Sequence, residues 1–197
     1  YDDNVTKDGV KGTRALGVSF LIAASRRVGI APSLSVQENL LPYQYSNPDY
    51  LKDGLLDNEK LAQEAKDLMR EYHIDCEDAS EPASTLSSSS QQKLVFAREC
   101  SNEPVLLIAY HPTAGTSSAN AAFLQQKLLE LRRGGTAILL VPTDSEEYRQ
   151  LADSTLVLRR GERVAYCEGR LDPEQLDAYS FGAQSMTKEE MEALCVE

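Results

Sequence analysis

Two stretches of the chain carry residue types that could do chemistry. The first is Leu86-Ser87-Ser88-Ser89-Ser90-Gln91-Gln92. Small hydroxyl residues that open a helix leave first-turn N–H groups free at the positive end of the helix dipole, which suits an anion. The plainer reading is that one serine caps the helix and the others keep the loop short and soluble. The second stretch is Val105-Leu106-Leu107-Ile108-Ala109-Tyr110-His111-Pro112-Thr113. An apolar strand with polar residues at its C-terminal edge is where open α/β sheets place ligands. His111 could be a base or a phosphate contact, and equally an edge residue held by a hydrogen bond. A Ser/His hydrolase would need a Gly-x-Ser-x-Gly elbow, and the sequence has none. Neither Gly-x-x-x-x-Gly-Lys-[Ser/Thr] nor Gly-x-Gly-x-x-Gly occurs, so no phosphate-cradling loop is present. Cys76, Cys100, Cys167 and Cys195 form no Cys-x-x-Cys pair, and the histidines are His73 and His111. A zinc site would have to be assembled from scattered residues, so no metal ligand is assigned. Isolated cysteines of this kind act as small core residues in a reducing compartment.

The 197 residues have a formal charge of −11 and are 42% hydrophobic and 26% charged. That composition fits a soluble globular domain with a real core. It argues against a non-specific nucleic-acid binder, which would need a basic face. The longest apolar runs fall well short of the roughly 20 residues a bilayer span takes, and Tyr1-Asp2-Asp3-Asn4 is unlike a secretory leader.

The elements that must position these stretches follow from periodicity. Residues 1–14 read as a polar lead-in, residues 15–24 as a buried strand, and Ser35 with Glu38 as a capping box. Leu61, Ala65, Leu68, Met69 and Tyr72 mark one face of a helix over residues 58–73. A second helix is expected over 93–100, a strand covered on both faces over 105–110, and a third helix over 118–133 stopped by Gly134-Gly135. Residues 137–141 read as a second buried strand, 145–152 as a short helix and 155–160 as a third strand. Gly161-Glu162 turns it into a hairpin with 163–168, and residues 170–197 read as a C-terminal tail. Alternating strands and helices predict an α/β domain with a mostly parallel sheet.

Taken in order, the motifs resemble the second nucleotide-binding domain of ABC importer ATPases for simple sugars, nucleosides and basic-membrane-lipoprotein-type ligands. Ala15-Leu16-Gly17-Val18-Ser19-Phe20 is similar to the strand before the Q-loop region. Ser35-Val36-Gln37-Glu38-Asn39-Leu40 is similar to the segment Ser-[Leu/Val]-x-Glu-Asn-Leu. Thr85 to Lys93 resembles the signature Leu-Ser-Gly-Gly-Asn-Gln-Gln-Lys, and Ala97-Arg98-Glu99 follows it. Leu106 to Thr113 resembles Walker B followed by Pro-Thr. Leu128-Leu129-Glu130-Leu131-Arg132, Ala137-Ile138-Leu139-Leu140-Val141 and Arg160-Gly161-Glu162 continue the pattern, which covers residues 14–169.

The resemblance implies a RecA-like P-loop NTPase core over 15–169, truncated at its N-terminus, with a helical subdomain at about 35–104. It also implies departures. Walker A has no counterpart. Tyr110 stands at the Walker B Asp position and His111 at the catalytic Glu position. Ser117 stands for the D-loop Asp, Thr143 for the switch His with Asp144 retained after it, and Ala23 for the Q-loop region's Glu. Ser88 and Ser89 replace the signature glycines, among the signature-like residues Leu86, Ser87, Ser88, Ser89, Ser90 and Gln91. ATP and Mg²⁺ are thus implied for the intact family protein and none for this chain alone, with no catalytic residue and no metal ligand. The implied partners are another nucleotide-binding domain and a transmembrane permease subunit, at the cytoplasmic face of the inner membrane. Tyr43, Tyr45 and Tyr50 could meet the permease, or be half-buried packing residues. Two other readings stay open: an ABC-like interaction module that does not handle nucleotide, and an unrelated small α/β enzyme using His111.

Overall fold

The computed structural model describes residues 9–22 and 29–194. Ala23 lies outside the described residues. The chain divides into two compact units, residues 1–143 and 144–197.

The first unit is built on a three-stranded parallel sheet of β1 (Val18–Ile22), β4 (Leu106–Tyr110) and β5 (Ala137–Val141), in the order β1-β4-β5. Val18 is opposite Leu106, which is opposite Ala137, and Ile22 is opposite Tyr110, which is opposite Val141. The connections contain α4 (Ser88–Cys100) and α5 (Ser118–Arg133). Both connections move across the sheet in the same direction, and right-handed crossovers of that kind put their helices on the same face. Accordingly α4 packs on β1 and α5 packs beside α4. Leu21, Leu107 and Ala109 are buried beneath them, with Leu94, Phe96, Leu124 and Leu128 contributing from the helices.

The expectation that residues 105–110 are covered on both faces, and that 137–141 are buried, is corrected here. Side chains alternate across a strand, and the second face, which carries Ile22, Tyr110, Leu139 and Val141, is open. Tyr110 is 50% exposed and Leu139 56%. An apolar run states that a strand is apolar on both sides, not that this chain supplies both covers.

A small helical part packs against α4. It contains α2 (Val36–Leu40), a hairpin of β2 (Leu51–Lys52) and β3 (Leu55–Leu56), and α3 (Asn58–Glu71). The hairpin turns on Asp53 and Gly54, both with positive φ, as a two-residue type I′ turn requires. The predicted capping box is present. The Glu38 N–H donates to Ser35 Oγ at 3.1 Å, and Ser35 N–H and Oγ–H donate to Glu38 Oε2 at 2.8 and 2.7 Å. These bonds hold the Glu38 carboxyl below its usual range. Asn39, almost fully buried, accepts the Ala31 N–H and donates to the carbonyls of Ala31, Leu34 and Ser35, folding the preceding loop onto α2.

Glu99 on α4 is wholly buried. Arg14 Nη1 meets it at 2.9 Å, Arg98 Nε at 2.9 Å, and the Tyr43 hydroxyl donates at 3.3 Å. Arg14 closes α1 (Gly9–Ala15), a short helix within what the sequence presented as a polar lead-in. Burial, and then the Glu99 charge, push the Tyr43 phenol up. Tyr43, Tyr45 and Tyr50 are all half-buried, which is the packing alternative of the two.

The second unit opens with α6 (Ser145–Leu151). It continues with a hairpin of β6 (Ser154–Arg159) and β7 (Glu162–Glu168), then α7 (Pro173–Phe181) and α8 (Lys188–Leu194). β6 pairs with β7 alone among the described residues, so it is not a strand of the parallel sheet as expected. Its turn lies on Arg160 and Gly161, both with positive φ, one residue earlier than the sequence suggested. Residues 170–194, read as a tail, supply Leu171, Leu176, Tyr179 and Met186 against Val157, Val164 and Ala165.

Replacing Glu99 with Ala leaves two guanidinium groups without their buried partner. Urea unfolding of Glu99→Ala is expected to show a loss of about 3–5 kcal/mol. Ser35→Ala is expected to cost about 1 kcal/mol at neutral pH. Because the folded Glu38 carboxyl is depressed, its share of this stabilisation is complete above the unfolded carboxylate range. It fades as pH falls through the depressed value, so wild type and Ser35→Ala should converge in acid.

Candidate functional site

α4 begins at Ser88, not near Lys93 as the periodicity suggested, and Ser87 is its N-cap. Ser87 Oγ accepts the Ser90 N–H at 3.1 Å and donates to Ser90 Oγ at 3.2 Å. Ser90 is buried and its oxygen also accepts the Asp75 N–H. Leu86 and Gln91 are buried too, and Gln91 Nε2 donates to the carbonyls of Leu86 and Ala83. The capping reading of the serine run therefore holds for Ser87, with Ser90 tying down the loop beside it. Ser88 is left exposed and Ser89 half-buried in the first turn.

This helix end is tied to the C-terminal edge of the sheet by two hydrogen bonds. The buried Gln92 donates Nε2–H to the Pro112 carbonyl at 2.6 Å. Asn120, in the first turn of α5, donates Nδ2–H to Ser89 Oγ at 2.7 Å. Ser117 is the N-cap of α5 and accepts the Asn120 N–H at 3.4 Å. The structure thus brings Ser89, the 111–113 turn and Ser117 into one neighbourhood.

At the sheet edge, His111 adopts φ +47°, a left-handed conformation that is costly for a residue with a Cβ. Its N–H donates to the Val141 carbonyl at 2.9 Å, and the Ala114 N–H closes a turn onto its carbonyl. The Tyr110 ring stands edge-on to the imidazole, with centroids 4.2 Å apart. Thr113 Oγ1 donates to Thr143 Oγ1 at 3.2 Å, linking the ends of β4 and β5. Residues 110–117 and 141–143 contain no Asp, Glu, Lys or Arg. Asp144, next in sequence, has its carboxylate engaged as the N-cap of α6, accepting the Glu147 N–H at 2.9 Å.

Sequence reasoning singled out the serines, Tyr110, His111, Ser117 and Thr143 but missed Gln92 and Asn120 as the amides that tie these segments together. Their signal is weak in sequence: each is a single amide whose role depends on a carbonyl or hydroxyl far along the chain. A cavity of about 650 Å³ lies elsewhere. It is lined by residues such as Val105 and Thr136 at the start of β4 and β5, with Glu71, Lys127 and Glu130 at one wall.

No protein-family model matches the chain. Among curated proteins, it is 31% identical over 149 residues to the guanosine import ATP-binding protein NupO of Bacillus subtilis, covering 76% of this chain and 29% of that protein. It is 30% identical over 156 residues to the nucleoside import ATP-binding protein NupA of Lactococcus lactis, covering 79% and 30%. It is 32% identical over 172 residues to the glucose import ATP-binding protein TsgD13 of Haloferax volcanii, covering 85% and 30%. The chain therefore spans under a third of the length of these relatives. Among solved structures, it superposes on the ATP-binding cassette MJ0796 in a post-hydrolysis state bound to ADP and Pi with TM-score 0.66 at 21% identity. That match covers 85% of this chain and 70% of the other. The cassette MJ1267 in its ADP conformation gives TM-score 0.59 at 18% identity, covering 82% and 63%.

Replacing Gln92 with Leu keeps the packing volume but leaves the Pro112 carbonyl without that donor. A loss of about 1–3 kcal/mol is expected, with faster amide exchange in residues 111–117 than elsewhere in the sheet, read by hydrogen-exchange mass spectrometry. The chain has the fold of an ABC cassette and is, over some three-quarters or more of its length, a homologue of the ATP-binding proteins of nucleoside and sugar importers.

Proposed function

We propose that this chain is the degenerate, non-hydrolysing cassette half of an importer ATPase for a nucleoside, a simple sugar or a related small molecule, serving mainly as a structural partner. The observation that carries the reading is the C-terminal end of β4. The scaffold there is intact, yet its two terminal positions are Tyr110 and His111, and no carboxylate stands in residues 110–117.

The ABC fold implies ATP with Mg²⁺, and the residues present do not fit that pair. Mg²⁺ takes hard oxygen ligands, usually one or two carboxylates beside phosphate and water. A neutral phenol packed edge-on against an imidazole is a poor substitute. Phosphoryl transfer depends on donors that cradle the phosphates and on compensation of their charge, and residues 110–117 and 141–143 supply no Lys or Arg. The first turn of α4, with Ser88 and Ser89 in place of two glycines, keeps a helix N-terminus that could face a nucleotide held by another cassette. Each serine adds a Cβ where close backbone approach would be wanted, and Ser89 Oγ is already engaged by Asn120.

In this reading the partners are a second nucleotide-binding domain and a transmembrane permease subunit, with no nucleic acid. The helical part, about residues 35–104 within a core of 15–169, is the side offered to the permease. Among the described residues no helix is long and apolar enough to cross a membrane. Attachment to the cytoplasmic face of the inner membrane would then come through the permease.

Calorimetric titration of the 197-residue chain with ATP, with and without Mg²⁺, tests the reading. No magnesium-dependent binding and no phosphate release are expected. Tight, magnesium-dependent capture of ATP would overturn it. A tagged copy in its own host is expected to sediment with membranes as part of a permease complex. A copy wholly free of permease would favour the alternative, an ABC-like interaction module outside transport.

A further inference from the structure

We draw no further inference here: the strongest candidate, the acidic-walled cavity between α3, α5 and the start of β4, carries nothing because Lys127 already holds its Glu71 and Glu130 carboxylates, Tyr50 and Gln44 already hold Glu64, and no second feature among the described residues points to a ligand there.

Discussion

The Glu99 side chain has no access to water and is held by two guanidinium groups and a phenol that come from three separate parts of the first unit. Burial of a carboxylate is tolerable only when such partners are in place. The requirement therefore fixes α4 relative to α1 and to the loop that carries Tyr43. α4 is also the element against which β1, α2, α3 and α5 pack. Its far end is the serine turn, so the ion pairs at Glu99 brace the same helix that carries Ser88 to Gln92.

Polar side chains without Asp, Glu, Lys or Arg organise the sheet edge over residues 110–117 and 141–143. Gln92 and Asn120 lock the helix end to the strand end with neutral amide bonds, and Thr113 and Thr143 join two strands by their hydroxyls. Such bonds hold the three segments together through amide and hydroxyl groups. His111 keeps a left-handed backbone that the fold maintains through the Val141 carbonyl. Local strain of this kind persists where the surroundings over-determine the chain. The architecture of a cassette is what this molecule displays.

Much of this was legible in the residues. The 16 residues of α5 lie where the 3- and 4-residue spacing of Ala121, Leu124, Leu128 and Leu131 put them, and the Ser35–Glu38 box was explicit in two residue types. The positions aligned with Walker B and the signature were legible only through resemblance, because single Tyr, His or Ser residues have no periodicity. Three features were not legible. The start of α4 was obscured because serine is a weak helix former whose capping role depends on which of four copies turns inward. For β6 the hairpin with β7 was legible in Gly161-Glu162, while its exclusion from the parallel sheet was not, because a short strand looks the same beside a parallel neighbour as in a hairpin. The open face was obscured because composition describes a strand and not the helices placed on it.

β1 and β5 each have a hydrogen-bonded neighbour on one side only among the described residues. The outer rims of these strands present unpaired backbone donors and acceptors, and Ala137-Ile138-Leu139-Leu140-Val141 contains neither proline nor charge to discourage pairing. Strand rims of this kind template edge-to-edge aggregation. At high concentration of the chain, pairing rim to rim is the expected route to insoluble aggregate.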